Sequence, residues 1–513
     1  MQKWMEGYVS DIDYTLNYYR MLDPEYINSC LVSYDIKPID IDEEFTYCEL
    51  GCGYGLSLLF FAAMYPQGKF YGVDYNPTHI AYINNIVKKV GLKNIFFYEK
   101  SFQDVVDEPS LLPNFDFIVF HGIYAWVNDN NRDNLVKICY QHLKPGGVVY
   151  NSYNTKPGWL VAEVIQKMII NFSKEFVGDS IEKIKKVIDL LEELESSNIG
   201  FFKVYKAMFD SKFKNIKSSN EHYVVHEYLN EEWKALYFPE VAQKMKEVKL
   251  DYVGIAELSN AYLRHIIPKD MAKYLSEIKD DTNYEFLKDL FVIKAFRKDL
   301  YVRGISNKLN KYEKYKYFLN KKAIYIKNVI PDEFNFKIDV GKLEGDKRIY
   351  KSICEELNYT PQTLYELAKK LNISNEEMMQ ASILLFDNNY IGFYTKTNQK
   401  IFELNRYIVE NTLFEKGISY LIYPNCNCVN KFDKVFLVFL DALNKGIKEK
   451  EKIIDYAKRN LMLNGFTLLD DNNNPIKDDK KLDKKIREYI IKWEKDILPI
   501  WKKVGIVTKK TLR

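Results

Sequence analysis

The residues best suited to do chemistry stand at the ends of short apolar runs. One is the turn Glu49-Leu50-Gly51-Cys52-Gly53-Tyr54-Gly55. A glycine-rich turn between a strand and a helix lets backbone approach a ligand closely, and the first N–H groups of the helix then face that ligand. A dinucleotide site asks for Gly-x-Gly-x-x-Gly. Here the spacing is Gly-x-Gly-x-Gly, with an acid two residues before the first glycine. That pattern suits a ligand whose facing part is an amino acid beside a sulfonium rather than a pyrophosphate. Gly51, Cys52, Gly53 and Gly55 would offer backbone to it, and Glu49 would favour its ammonium or brace the loop. A second carboxylate, Asp74, ends the run Gly72-Val73-Asp74-Tyr75-Asn76-Pro77, where it can accept both ribose hydroxyl hydrogen bonds. Tyr75 can pack on adenine, and Ser101 and Phe102 in Lys100-Ser101-Phe102-Gln103 can line the adenine edge.

A second group follows the next two apolar runs. His121, Tyr124 and Trp126 come after one, and Tyr153, Asn154 and Trp159 after the other. Aromatic walls hold an amine or a sulfonium by cation–π attraction. Asn154 can accept a hydrogen bond from an amine, and His121 can serve as a base or orient a neighbour. Ordinary packing is the competing reading for each aromatic. Near the N-terminus Tyr14 and Tyr18 are one helical turn apart, so Tyr14, Tyr18 or Tyr19 can touch the same ligand from a lid. No metal site is expected. His222 and His226 have a usable spacing but no evident third ligand, and Cys426-x-Cys428 lacks a second pair.

Elements must hold these groups in place. Strand-like runs at Phe45–Leu50, Phe70–Asp74, Ile95–Glu99, Phe115–His121 and Val148–Tyr153 alternate with helical patterns at Leu56–Tyr65, Pro77–Val90 and Arg132–Leu143. Gly91 and Pro145-Gly146-Gly147 read as helix stops. Repeated β–α units imply an α/β fold, a parallel sheet with helices on both faces. From Leu160 to Lys217 the pattern is helical, with Ile181, Ile184, Val187, Ile188 and Leu191 at helical spacing. Asp251–Glu257 and Ala295–Arg303 read as late strands of the same sheet, with the helical segment inserted before them. A looser stretch follows, in which Tyr315–Phe318 and Ile324–Ile330 could add strands. Further on, Leu364–Leu371, a turn at Asn372–Ser374 and Glu376–Phe386 form a helix-turn-helix pattern, with Tyr390–Tyr394 as a wing.

Composition narrows the partners. Among 513 residues, 74 Lys and Arg face 71 Asp and Glu, a net charge of +3, which is not that of a general polyanion binder. The second helix of the helix-turn-helix pattern opens Asn375-Glu376-Glu377 and lacks the cations that phosphate contacts need, so nucleic acid is not an expected partner. Seven scattered cysteines do not form a disulfide framework. No apolar run reaches the ~20 residues of a membrane span, and no signal peptide is evident, so a soluble cytoplasmic protein is expected.

Glu49 to Gly55, Gly72 to Pro77 and Leu143-Lys144-Pro145-Gly146-Gly147 resemble the motifs of class I S-adenosylmethionine-dependent methyltransferases. The resemblance implies a Rossmann-like seven-stranded sheet, S-adenosylmethionine as cofactor and S-adenosylhomocysteine as product. A narrower resemblance spans most of the chain. It rests on Gly7-Tyr8-Val9-Ser10-Asp11-Ile12-Asp13-Tyr14 with Tyr18-Tyr19, on His121-Gly122-Ile123-Tyr124-Ala125-Trp126-Val127 and on Asn151-Ser152-Tyr153-Asn154-Thr155-Lys156-Pro157-Gly158-Trp159. His226-Glu227-Tyr228-Leu229 and Tyr252-Val253-Gly254 complete it. The set is similar to bacterial methyltransferases with a methyltransferase regulatory domain, among them rickettsial lysine methyltransferases that act on outer-membrane proteins. It implies a cofactor-binding core with an N-terminal lid at 1–160 and a helical regulatory region with late strands at 161–304. A linker at 305–345 and a mainly helical C-terminal domain at 346–513 with a winged-helix-like module would follow.

The same resemblance points to lysine on a protein substrate as methyl acceptor. A lysine nucleophile must arrive neutral although its free pKa is about 10.4. A close, partly apolar channel disfavours the charged amine, so a dedicated base is not required. A small molecule or nucleic acid is the alternative acceptor, although the loop after the fourth run lacks the Asn-Pro-Pro-Tyr pattern of base-amino methylation. A cofactor-sensing DNA-binding regulator is the reading from another class.

Overall fold

The run Phe115–His121 is apolar at nearly every position because its strand is covered on both faces. It is the fourth of seven strands in a computed structural model that describes residues 16–219, 221–305, 308–414, 417–472 and 474–508. The strands are β1 (Phe45–Leu50), β2 (Gly68–Asp74), β3 (Ile95–Glu99), β4 (Phe115–His121), β5 (Leu143–Asn154), β6 (Asp251–Ile255) and β7 (Phe296–Val302). Their order across the sheet is β3-β2-β1-β4-β5-β7-β6. The first five are parallel, and β7 runs antiparallel between β5 and β6. This is the expected Rossmann-like sheet, with its two late strands supplied after a helical insertion.

Helices α1 (Pro24–Ser33), α2 (Leu56–Met64), α3 (Pro77–Val90), α4 (Phe102–Asp107) and α5 (Asp129–His142) flank the front half. Local chemistry sets several starts. Asn76 caps α3, its side chain accepting from the Thr78 N–H, with Pro77 at the first helical position. Ser101 and Asp104 form a reciprocal capping box on α4. Two readings shift at β5. The strand begins at Leu143, so Pro145-Gly146-Gly147 lies inside it, where the pairing with β4 slips register, instead of in a free turn.

Beyond β7 the chain is ordered where a loose stretch was expected. Tyr315–Phe318 lies within a helix, Lys311–Leu319, rather than a strand, because Asn310 and Glu313 form a capping box at its start. β8 (Lys322–Tyr325) pairs antiparallel with Gln362–Thr363 on one side and Ile391–Phe393 on the other. Phe334–Ile338 and Gly341–Gly345 form a hairpin. Helices Leu364–Leu371 and Asn375–Asp387 stand where the helix-turn-helix pattern predicts, with Asn372 in the left-handed conformation between them. No described helix is long and apolar enough to cross a membrane.

The C-terminal part closes over the front sheet. Every residue of α2 is buried, as befits a helix with no polar face. The sheet covers one side, and the segment around helix Gln399–Asn411 covers the other. Asn398 Nδ2 donates to Ala63 O at 2.9 Å and Lys400 Nζ to Val90 O at 3.3 Å. Asp387 forms a second joint. It accepts from Tyr26 OH at 2.8 Å and from the Ser259 N–H at 3.0 Å, and the Ser259 hydroxyl also donates to it. Arg20 donates to the carbonyls of Phe386 and Asp387 at 2.6 and 2.9 Å. Asp387→Ala leaves the buried donors of two chain regions, Tyr26 and Ser259, unpaired, at a cost of about 3 kcal/mol. The urea midpoint should fall accordingly, and a variant matching the parent midpoint would show that the joint contributes little.

Candidate active site

Strand order reverses between β1 and β4, so the loops leaving them diverge and open a crevice at the carboxyl ends of the strands. A cavity of about 670 Å³ fills it. The glycine turn after β1, Asp74 to Pro77 after β2, Lys100 to Phe102 after β3 and His121 to Val127 after β4 contribute to its walls, with Leu16, Asn17 and Tyr19 from the N-terminal segment.

Asp74 ties the turn together. Its Oδ2 accepts from the Gly53 N–H at 2.8 Å, its Oδ1 from the Asn76 N–H at 2.9 Å, and His79 Nδ1 lies 3.3 Å from Oδ1. The N–H groups of Gly51 and Cys52 both donate to Val73 O. Gly51 and Gly55 have φ of +71° and +62°, and a Cβ would stand 2.6 Å from Ile123 on the first and 2.4 Å from Phe97 on the second. Only glycine fits both. A Cβ on Gly53 would meet nothing within 4 Å, which leaves room for a ligand there.

Glu49 and Asp74 place two carboxyl groups at neighbouring strand ends. Burial, and then the charge of Asp74, pushes the Glu49 carboxyl up to about 8. Its Oε2 is buried without a hydrogen-bond partner. Such an atom is a receptor for a cation with N–H donors.

At the tip of β4, burial and the charge of Lys298 pull His121 down to about 3, so its ring is neutral. His121 pairs across the sheet with Ser152, and its Nδ1 lies 2.8 Å from Ser152 Oγ and 3.0 Å from the Tyr150 hydroxyl. The Tyr19 ring stands 4.3 Å from the imidazole.

Of the expected cofactor contacts, Tyr19, Glu49, Gly51, Cys52, Gly53, Gly55, Asp74, Tyr75, Ser101, Phe102 and His121 all line the cavity. Tyr18 does not: it packs between Phe60, Phe61 and Tyr420. Tyr14 lies outside the described residues. Of the expected catalytic group, His121 and Trp126 line the cavity and four residues are placed elsewhere. Tyr124 is buried against Phe120 and Tyr153. Tyr153 points to the opposite sheet face and donates to Asp299 at 2.6 Å. Asn154 donates to Glu227 at 2.5 Å, and Trp159 packs on Trp233 at 4.8 Å. Sequence reasoning missed Ile123 and Asn128 as lining residues, and it gave Tyr54 and His79 no ligand contact. Asn128 caps α5, so an Asn four residues before the helical run at Arg132 was the available signal.

The fold and this cavity define a class I S-adenosylmethionine-dependent methyltransferase. A family model described as "Methyltransferase domain" matches residues 48–147, and one described as "Predicted methyltransferase regulatory domain" matches 220–303. An uncharacterized protein of Synechocystis is 30% identical over 477 residues, 91% of this chain and 94% of that protein. An uncharacterized protein of Rickettsia prowazekii is 27% identical over 374 residues, 71% of this chain and 65% of the other. The structure of PKMT2 from Rickettsia typhi in complex with AdoHcy shares the fold, with a TM-score of 0.69 and 20% identity across 94% of this chain and 98% of that one. The chain therefore belongs to the family of methyltransferases that join this domain to the methyltransferase regulatory domain.

The residues present fit the cofactor of that class: Glu49 Oε2 is the orphaned acceptor that an amino-acid ammonium satisfies. Binding then favours ionised Glu49. Below about pH 8 each binding event should expel a proton, and affinity should climb by up to about tenfold per pH unit before levelling. Calorimetry with S-adenosylhomocysteine in buffers of different ionisation enthalpy measures that proton. Glu49→Gln should bind more weakly and lose the proton release, and an unchanged release would remove Glu49 from this role. Asp74→Ala frees the Gly53 and Asn76 N–H groups and should weaken binding by roughly 10²-fold, as losing a charged hydrogen-bond acceptor does.

Proposed function

We propose that the chain transfers the methyl group of S-adenosylmethionine to lysine side chains of a protein. One observation carries the reading: beside the cationic-ligand site, the β4 tip presents a wall without formal charge, made of Tyr19, His121, Ile123 and Trp126. Such a wall disfavours an ammonium and accepts a neutral amine. The sequence resemblance to rickettsial lysine methyltransferases supports a polypeptide as the carrier of that amine.

In this reading Glu49 receives the ammonium of the cofactor, Asp74 the ribose hydroxyls, and Tyr75, Ser101 and Phe102 the adenine. The Ser101 hydroxyl is engaged with Asp104 at 2.8 Å, so its contribution is a fixed backbone position more than a free hydroxyl. When bound, S-adenosylmethionine supplies an electrophilic methyl group on a positively charged sulfur. The protein's share is to hold the acceptor close with water excluded, which is worth several orders of magnitude in rate. Tyr19 and Trp126 shape that approach, and neither carries a charge to be neutralised.

The test is label transfer. Purified chain, methyl-labelled cofactor and a panel of lysine-rich polypeptides should yield methyl-lysine on acid hydrolysis. Trp126→Ala should cut the rate by roughly 10–100-fold with little change in S-adenosylhomocysteine affinity. Label found only in small metabolites or nucleic acid would sink the lysine reading while leaving the methyltransferase class intact.

A further inference from the structure

The surroundings of His121 fix more than its charge. Its Nδ1 faces two hydroxyls, those of Ser152 and Tyr150, and both residues are fully buried. The Gly122 N–H already donates to Ser152 Oγ at 2.9 Å. A buried hydroxyl proton needs an acceptor. If Nδ1 carried a proton, three side-chain protons would share two hydroxyl oxygens. Nδ1–H would donate to one hydroxyl and that hydroxyl to the other, and the last proton would face only donors. With Nδ1 bare the group closes: one hydroxyl donates to Nδ1, and the second to Nδ1 or to its neighbour's oxygen.

We propose that Ser152 and Tyr150 lock His121 in its Nε2–H form, so that it meets the methyl acceptor as a hydrogen-bond donor and not as a base. The ring turns its Nδ1 edge into the protein and its other edge to the cavity that His121 lines. The loss of basicity on burial acts in the same direction. Ser152 and Tyr150 are then positioning residues, acting through His121.

The consequence for chemistry rests on the function proposed above. A donor edge opposes an ammonium, because both present hydrogens, whereas it can donate to the lone pair of a neutral amine until that lone pair turns to the methyl carbon. The acceptor amine therefore gives its proton to water before it enters. His121 then selects the neutral form without receiving a proton itself. The two hydroxyls were not candidates by sequence, yet they decide what the candidate histidine can do.

Nitrogen NMR on protein labelled in its six histidines tests this directly. His121, identified by the signals lost in His121→Gln, should show a protonated Nε2 and an unprotonated Nδ1. Both should hold steady across roughly pH 5 to 8, where an ordinary histidine titrates. The Ser152→Ala/Tyr150→Phe double variant should lose the preference and show a mixture of tautomers, and Tyr150→Phe alone serves if the double variant does not fold. A protonated Nδ1 in the parent, a titration within that window, or variants with the parent's tautomer would each overturn the proposal. The spectra need no methyl acceptor, so a failed lysine assay leaves this result standing, and a reversed tautomer leaves the lysine assay standing.

Discussion

Two carboxyl groups buried side by side, Glu49 and Asp74, are the constraint around which this molecule is arranged. Strands β1 and β2 set them close through a parallel register that pairs Leu50 with Val73. Asp74 is compensated by the donors it gathers from the glycine turn and from the start of α3. Glu49 is not, and burial, with the neighbouring charge of Asp74, keeps it protonated to about pH 8. Stability alone would select against such a pair, since an unmatched buried acid contributes nothing to packing. A strongly displaced acid in a cleft is a functional-site candidate, and in the function proposed above its partner is a cation brought by the ligand. In the glycine turn beside the two acids, Gly53 leaves open space, whereas Gly51 and Gly55 are required by the close approach of Ile123 and Phe97.

How much of this the sequence could reveal depended on whether the signal was local. The turn and Asp74 are each contiguous with a strand end, and β1, β3 and β4 begin and end where their apolar runs do. What failed was facing. Successive residues of a strand point to opposite sides, so residue type could not tell Tyr153 from Tyr150 once the start of β5 was misjudged. Tyr150 and Ser152 reach His121, whereas Tyr153 is turned to Asp299. Tyr124 and Trp159 failed for a different reason. Their neighbours, Tyr153 for one and Trp233 for the other, lie far along the chain, and an aromatic by itself does not announce whether a distant element will cover it.

The side of the cavity formed by the β4 tip is held from outside the sheet domain. Residues 230–236 run across the tips of β4 and β5. Asn230 Nδ2 donates to Trp126 O at 2.9 Å, the Lys234 N–H to Ala125 O at 2.8 Å and the Leu236 N–H to Asn154 O at 3.1 Å. Trp126 packs against the core beside β4 and against the core of the helical insertion at once. The segment matched as a regulatory domain thus fixes the loop that carries Trp126. A loop pinned by backbone hydrogen bonds at two strand tips resists displacement better than one resting on side-chain contacts, because its donors and acceptors would otherwise be left unpaired. The shape of the cavity there is set by the junction of the two parts rather than by either one.

The same wall depends on the C-terminal part in a similar way. Tyr19 is extended, with φ of −115°, so it and Tyr18 project to opposite sides. Tyr19 meets His121, while Tyr18 is seated among Phe60, Phe61 and Tyr420, the last of these from the hairpin of Tyr420–Tyr423 with Cys428–Lys431. One residue further, Arg20 is clamped on the carbonyls of Phe386 and Asp387, its guanidinium 4.3 Å above the Phe386 ring. The backbone of Tyr19 is anchored as well, its N–H donating to Ser57 Oγ at 3.1 Å. The two residues flanking Tyr19 therefore convert contacts made some 370–400 positions away into the placement of one ring over the imidazole. A C-terminal region that served only to carry a separate binding module would not need to grip that segment. Its grip on Tyr18 and Arg20 makes it part of the scaffold that builds the cavity wall.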